Sequence, residues 1–219
     1  MLHETLHEWV NTWFHWVESG GYPAIIALMA MESSIFPVPS EVVMPPAAIL
    51  AAQGKLNFWG VIAAGTFGSW LGSAITYWVA KVFGRPLIMR YGKMFFCPPE
   101  KVERAESFLE RYEAGGIFFA RLLPVVRHLI SIPAGIVRMK FGVFSLMTTL
   151  GSLLWCSILA WYGKGVAERN PGLMNDPEGL IHAIKGESLW IVGGVGLLGA
   201  LYFLVLKLTA KNKSDGVSA

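Results

Sequence analysis

Charge is scarce in this chain. Of 219 residues only 15% are charged, where a soluble domain carries roughly a quarter. Hydrophobic residues make up 54% and the mean hydropathy is +0.50, an apolar excess that runs along most of the chain. These values predict an integral membrane protein and exclude a soluble enzyme or a disordered regulator. Cysteine is nearly absent as well. Cys97 and Cys156 stand far apart, which excludes a disulfide-stapled secreted module and any metal or redox spacing. The net charge of +3 gives no argument for nucleic acid. No glycine-rich stretch ends in Gly-Lys-Ser/Thr and no Gly-x-Ser-x-Gly occurs, so a nucleotide phosphate loop and a serine-nucleophile elbow are both excluded. His3 and His7 stand at i,i+4 without an HExxH signature and read as a solvated polar face. No cofactor or metal is expected. The N-terminus shows neither a basic n-region nor a small-residue cleavage site, so no removable signal peptide is expected.

What is present arranges itself as one integral domain over 1–219. Residues 2–17 carry Leu2, Leu6, Trp9, Val10, Trp13, Phe14 and Val17 at helical spacing, which predicts an amphipathic helix lying in the membrane interface and ended by Gly20-Gly21. Residues 57–83 and 142–163 are long and almost uncharged, as transmembrane helices must be, and 189–208 is a third span. The glycines within them, Gly65, Gly68 and Gly72 and then Gly193, Gly196 and Gly199, read as close helix packing. Residues 98–113 alternate charges and predict a surface helix. Residues 164–188 read as a polar loop, and 209–219 as a disordered tail.

Two apolar stretches are interrupted. In 23–53 the prolines Pro37, Pro39, Pro45 and Pro46 fall within ten residues, around Ser40, and one continuous helix cannot hold them. Each remaining arm reaches only about 20 Å, short of a hydrocarbon core of roughly 30 Å. A hairpin that enters and leaves on one side fits better than two crossings. Residues 115–139 repeat the design, with breaks expected at Pro124, Pro133 and Gly135. Broken backbone at membrane depth is tolerated only where protein buries it or it lines a cavity. No Lys or Arg precedes Lys55, whereas 81–113 holds seven and the tail holds Lys207, Lys211 and Lys213. The positive-inside rule then places the N-terminus outside and the C-terminus in the cytoplasm. The fold expected is all-α and polytopic: an inverted repeat of two re-entrant hairpins, each followed by a transmembrane helix, as transporters use for alternating access.

Four charges fall in the hairpins: Glu32 and Glu41 in the first, Arg121 and Arg127 in the second. Unpaired at the bilayer centre they would cost on the order of 10–14 kcal/mol together, so pairing across the hairpin tips is expected. One reading makes them structural salt bridges. The other makes them a functional site, because desolvation removes most of what a buried ion pair gains and arginine grips phosphate bidentately. A neighbouring carboxylate can compete for the arginine or carry a proton. His128 reads as a packed or interfacial histidine, and Arg138 and Lys140 as facing headgroups.

These residues resemble the DedA family of bacterial membrane proteins, which share the VTT domain. The likeness lies in Glu32 with Phe36-Pro37-Val38-Pro39-Ser40-Glu41, and in Gly68-x3-Gly72-x4-Tyr77. It continues in Phe119-Ala120-Arg121-Leu122-x-Pro124-x2-Arg127, Pro133-Ala134-Gly135, Gly151-x3-Trp155 and Tyr162-Gly163, covering about 20–165. The resemblance implies a multi-pass protein of the bacterial inner membrane, active in lipid translocation and dependent on the proton-motive force. The Pro-x-Pro-Ser-Glu form of the first hairpin is similar to undecaprenyl phosphate translocases. By the same resemblance Arg121, Arg127, Glu32 and Glu41 bind the transported lipid, and Glu32 and Glu41 couple to protons. The partners implied are membrane lipid and protons, and a homo-oligomer is left open. A phospholipid (phosphatidylethanolamine) flippase or scramblase, and a proton/cation antiporter, remain alternatives. An enzyme is not expected: Lys81-x3-Arg85-Pro86 is too short for a membrane phosphatase signature and no Pro-Ser-Gly-His occurs.

Overall fold

The structure, a computed structural model, describes residues 2–34, 40–91, 115–123, 127 and 130–169. The regular elements among them are helices: α1 (Leu2–Glu32), α2 (Ser40–Ala52), α3 (Phe58–Tyr91), α4 (115–122), α5 (Ser131–Ile136) and α6 (Phe141–Arg169). The expected surface helix 98–113, the rest of the polar loop, the span 189–208 and the tail lie outside the described residues. So do Pro37, Pro39, Pro124 and His128.

Helix α1 is two helices joined at Gly21, whose φ of 54° and ψ of −135° interrupt the helical path where the Gly20-Gly21 pair predicts an end. A side chain disfavours that conformation. Pro23 then falls in the first turn of the second piece, where its missing N–H would have had no helical acceptor.

Two cap motifs repeat. Helix α2 ends with Lys55 N–H bonded to the Leu50 carbonyl at 3.0 Å and Gly54 N–H bonded to Ala51 at 3.0 Å, Gly54 lying at φ +77°. Helix α5 ends with Met139 N–H on Ala134 and Arg138 N–H on Gly135, both at 3.1 Å, Arg138 lying at φ +52°. Both are Schellman caps, which turn the chain from a short arm into a long helix. Asn57 then caps α3 by accepting from Gly60 N–H at 3.1 Å.

The long helices α3 and α6 run antiparallel. Trp59 meets Trp161 with ring centroids 6.3 Å apart, Trp70 donates to Ser145, and Tyr77 stacks on Phe144 at 4.7 Å. Numbers rise along one helix as they fall along the other. Helix α1 runs parallel to α3: Tyr22 lies on Gly60, Ile26 on Gly68 and Ala30 on Gly72. At Gly72 a Cβ would drive into the Ala30 carbonyl, so only glycine permits this approach. The second arms cross over. Helix α2 packs on α6, with the Pro45 backbone against Gly163, and α5 packs on α3, with Gly135 against the Tyr77 backbone and Ala80. Each short second arm thus rests on the long helix of the other half.

Several expectations are corrected. Pro45 and Pro46 lie inside α2 instead of in the break. The bonds they forfeit are those to the Glu41 and Val42 carbonyls in the first turn, and burial of every residue from Val43 to Leu50 keeps the rest helical. Pro133 and Gly135 likewise lie inside α5, Pro133 in its first turn and Gly135 at the crossing with α3. Ser40 stands at the edge of the first break, as the first residue of α2. Helix α3 continues past 83 to Tyr91. Helix α6 continues past 163 into the expected loop as far as Arg169. The buried Val166 and Ala167 and a Lys164–Glu168 pair at 3.7 Å support that last turn.

Polarity is distributed inside out. Phe67, Ile75, Val82, Leu146, Leu150 and Leu154 are exposed on α3 and α6, while Glu32, Arg121, Arg127 and Ser73 are buried. Water would reverse that distribution; hydrocarbon permits it. The segments Phe58–Phe83 and Phe141–Arg169 are long and apolar enough to cross a membrane.

Candidate functional site

The breaks place their charged residues well inside the long helices, at a depth of roughly half a 30 Å hydrocarbon core. Because α1 runs with α3 from its start, the end of α1 lies level with Ser69: Ser33 Oγ and Ser69 Oγ are 2.7 Å apart. Ser69 is about 17 Å along α3 from Phe58 at the usual helical rise. The Arg121 side chain lies against Gly151, about 15 Å along α6 from Phe141. The first break is therefore approached from the start of α3, the second from the start of α6, and the two tips meet.

Arg127 closes the junction. Its Nη2 donates to Glu32 Oε1 and to Ser40 Oγ, the latter at 2.7 Å, and lies 3.6 Å from Glu41 Oε1. The guanidinium sits 5.2 Å from the Trp155 ring centroid, and Trp155 Nε1 donates to Ser40 Oγ at 3.0 Å. Glu32 also accepts from Ser40 N–H at 3.1 Å, which satisfies an orphan donor at the start of α2. Glu32, Ser40, Glu41, Arg127 and Trp155 thus form one cluster drawn from both breaks and α6.

Arg121 is placed differently. Its Nη2 donates to Ser73 Oγ on α3 and to Ser131 Oγ on α5, the latter at 3.0 Å. Among the described residues no carboxylate lies within ion-pair distance of it. The Nε–H groups of Arg121 and Arg127 are both buried and, among the described residues, have no acceptor. Below Arg121 the hydroxyls continue: Ser73 Oγ donates to the Ser69 carbonyl at 2.6 Å, and Ser69 Oγ bonds Ser152 at 3.2 Å.

All four charged residues singled out in the sequence are therefore brought to one region, but not in two matched pairs. Arg127 takes both carboxylates and Arg121 takes none of them. Sequence reasoning missed the hydroxyls of Ser33, Ser69, Ser73, Ser131 and Ser152. Their signal was available at Ser69 and Ser73, which stand four apart on one face of an apolar span.

The VTT domain matches residues 38–165, which include Ser40, Glu41, both arginines and Trp155. The chain belongs to the VTT-domain (DedA) family of membrane proteins. Undecaprenyl phosphate transporter A of Bacillus subtilis (strain 168) is 32% identical over 195 residues, 89% of this chain and 93% of that protein. A protein named alkaline phosphatase-like from Lactococcus lactis subsp. cremoris (strain MG1363) is 31% identical over 199 residues, 89% of this chain and 91% of that one. Undecaprenyl phosphate transporter A of Staphylococcus aureus (strain NCTC 8325 / PS 47) is 28% identical over 152 residues, 68% of this chain and 75% of that protein. No solved structure matches. Glu32 lies just ahead of the VTT-domain match and is joined to it by its bonds to Ser40 and Arg127.

Proposed function

We propose that this VTT-domain protein is a lipid carrier of the bacterial inner membrane that returns undecaprenyl phosphate from the outer to the cytoplasmic leaflet, driven by the proton-motive force. One observation carries the reading: two buried guanidiniums stand where two broken helical segments meet, deep between helices long enough to span a bilayer. Arginine suits a phosphate there, because its planar fork matches two oxygens at once. The contact levels favour re-entrant hairpins, since α1 and α2 both reach the end where α3 starts and their break lies at mid-span. The names of the Bacillus and Staphylococcus relatives support the substrate.

Glu32 and Glu41 provide the coupling. With both ionised they balance the two arginines; a proton on either leaves the site one unit more positive and better suited to an anion. Protons enter from the outside, the phosphate follows, and loss of the proton to the cytoplasm restores the negative charge that expels it. The lysine and arginine distribution supports a first hairpin that opens to the outside.

Leaflet-resolved transport in proteoliposomes tests this. Vesicles carrying undecaprenyl phosphate or labelled phosphatidylethanolamine are compared with and without a pH gradient. Undecaprenyl phosphate should move inward faster with the outside acidic, and Glu32→Gln and Glu41→Gln should remove that dependence. Equal movement of phosphatidylethanolamine would support the flippase reading instead. Ion flux without lipid movement would support an antiporter. Cysteines placed at Thr5 and Ser214, in a background lacking Cys97 and Cys156, should label from opposite sides; labelling from one side would remove the inverted topology.

A further inference from the structure

The two arginines share a bonding pattern and differ in the charge of what they hold. In each, Nη2 donates to two acceptors and the buried Nε–H has none among the described residues. At Arg127 one acceptor is the Glu32 carboxylate, and Glu41 stands 3.6 Å away. At Arg121 both acceptors are neutral hydroxyls. Nε and Nη2 share one edge of the guanidinium plane, the edge that takes two oxygens of a phosphate side by side. We infer that Arg121, with the Ser131 hydroxyl, is the receptor for a phosphate monoester, while Arg127 is a latch that holds the two breaks together.

This assignment rests on the carrier reading and divides its site into two roles. An anion arriving at Arg121 displaces only a hydroxyl. At Arg127 it would have to displace a carboxylate and approach a second one of like charge. The receptor joins two elements, Arg121 from α4 and Ser131 from α5, and the Ser73 hydroxyl that an anion would displace comes from α3. A phosphate held there adjoins the latch, since Arg121 lies within electrostatic reach of Glu32 and Arg127.

The two serines are not equivalent. The Ser73 hydroxyl already gives its proton to the Ser69 carbonyl at 2.6 Å, so toward Arg121 it can only accept. It competes with an anion for Nη2. Ser131 accepts from Arg121, and among the described residues its own proton has no acceptor, so it can turn and donate to a phosphate oxygen. The two alanine variants should therefore behave oppositely. Ser131→Ala should weaken phosphate binding and Ser73→Ala should not.

The full chain in detergent micelles, titrated calorimetrically with farnesyl phosphate, tests the assignment. Farnesol, inorganic phosphate and phosphatidylglycerol are the comparison ligands. Farnesyl phosphate should bind and farnesol should not. Arg121→Lys should raise its Kd by about ten- to a hundredfold, the range expected for a lost charge-assisted fork. Ser131→Ala should raise it a few-fold, and Ser73→Ala should leave it unchanged or lower it. Arg127→Lys should leave Kd within about threefold of the parent while slowing transport of undecaprenyl phosphate. Equal competition by inorganic phosphate would assign the same receptor to the free ion, and by phosphatidylglycerol would overturn selection for a monoester. If Arg121→Lys and Ser131→Ala bind like the parent, or Arg127→Lys weakens binding as much as Arg121→Lys, the division of roles is wrong although the parent still transports. A parent that neither binds farnesyl phosphate nor moves undecaprenyl phosphate would remove the carrier reading itself.

Discussion

Glutamine at Glu32 and Glu41, singly and together, measures how the Arg127 charge is held. Glu32→Gln keeps an oxygen that accepts from Arg127 and from Ser40 N–H but removes the charge. A bond to a charged partner contributes about 1.5–3 kcal/mol and a neutral one about 0.5–1.5, so the loss is about 1–2 kcal/mol. Melting temperature should fall by about 2–8 °C for a chain of this size. Glu41 stands farther from Arg127, at 3.6 Å, and is partly exposed, so Glu41→Gln should cost at most about 1 kcal/mol. The double variant strands a buried guanidinium with no carboxylate. Removing the counter-charge of a buried pair costs about 3–5 kcal/mol, more than the two single losses combined. Thermal unfolding of all four proteins in one detergent gives the cycle directly. Losses that add to within about 0.5 kcal/mol, or a Glu41→Gln variant weaker than Glu32→Gln, would refute the shared-latch geometry.

Three further outcomes follow from the packing. Gly72→Leu should prevent α1 from seating on α3 and abolish folding and transport without altering any charge, because the clash is with the Ala30 backbone; yield of monodisperse protein checks this. Arg138→Gly should raise stability by about 1 kcal/mol by relieving a side chain at φ +52°, readable as a higher melting temperature, whereas Gly54→Ala should lower it. The Lys55 bond at 2.8 Å holds the Glu18 carboxyl below its ordinary pKa, so its contribution is present above that ordinary value and lost as pH falls through the folded one. The pair is exposed and contributes at most about 1 kcal/mol, and Glu18→Gln should flatten the acid side of a melting-temperature profile by that amount.

Local chemistry made much of the fold legible. Gly20-Gly21 marked the kink in α1, and the uncharged runs marked α3 and α6. Proline counting found the first break but placed it too broadly. Pro45 and Pro46 are absorbed because their lost bonds fall in the first turn of a buried helix, a tertiary effect that a local rule cannot register. Helix α6 outran its apolar stretch because Val166 and Ala167 are buried beyond the charge-free segment. At the site, composition supplied the four charges but not their pairing. Glu32 and Arg127 are 95 residues apart, and whether Arg127 or Arg121 reaches Glu32 depends on how the two tips interleave. The serines were overlooked because a hydroxyl in an apolar helix resembles any small packing residue until its partner is known.

The crossing of the short arms makes each half of the chain depend on the other for closure. Residues up to Tyr91 contain α2, one face of which rests on α6; residues from 115 onward contain α5, one face of which rests on α3. Each half alone would leave one of those faces uncovered. The cooperative unit is therefore the interlocked pair, and the connection between 91 and 115 serves to keep two complementary pieces at high mutual concentration. Cut there, the fragments would be obligate partners, each completing the other as the strands of an exchanged dimer do.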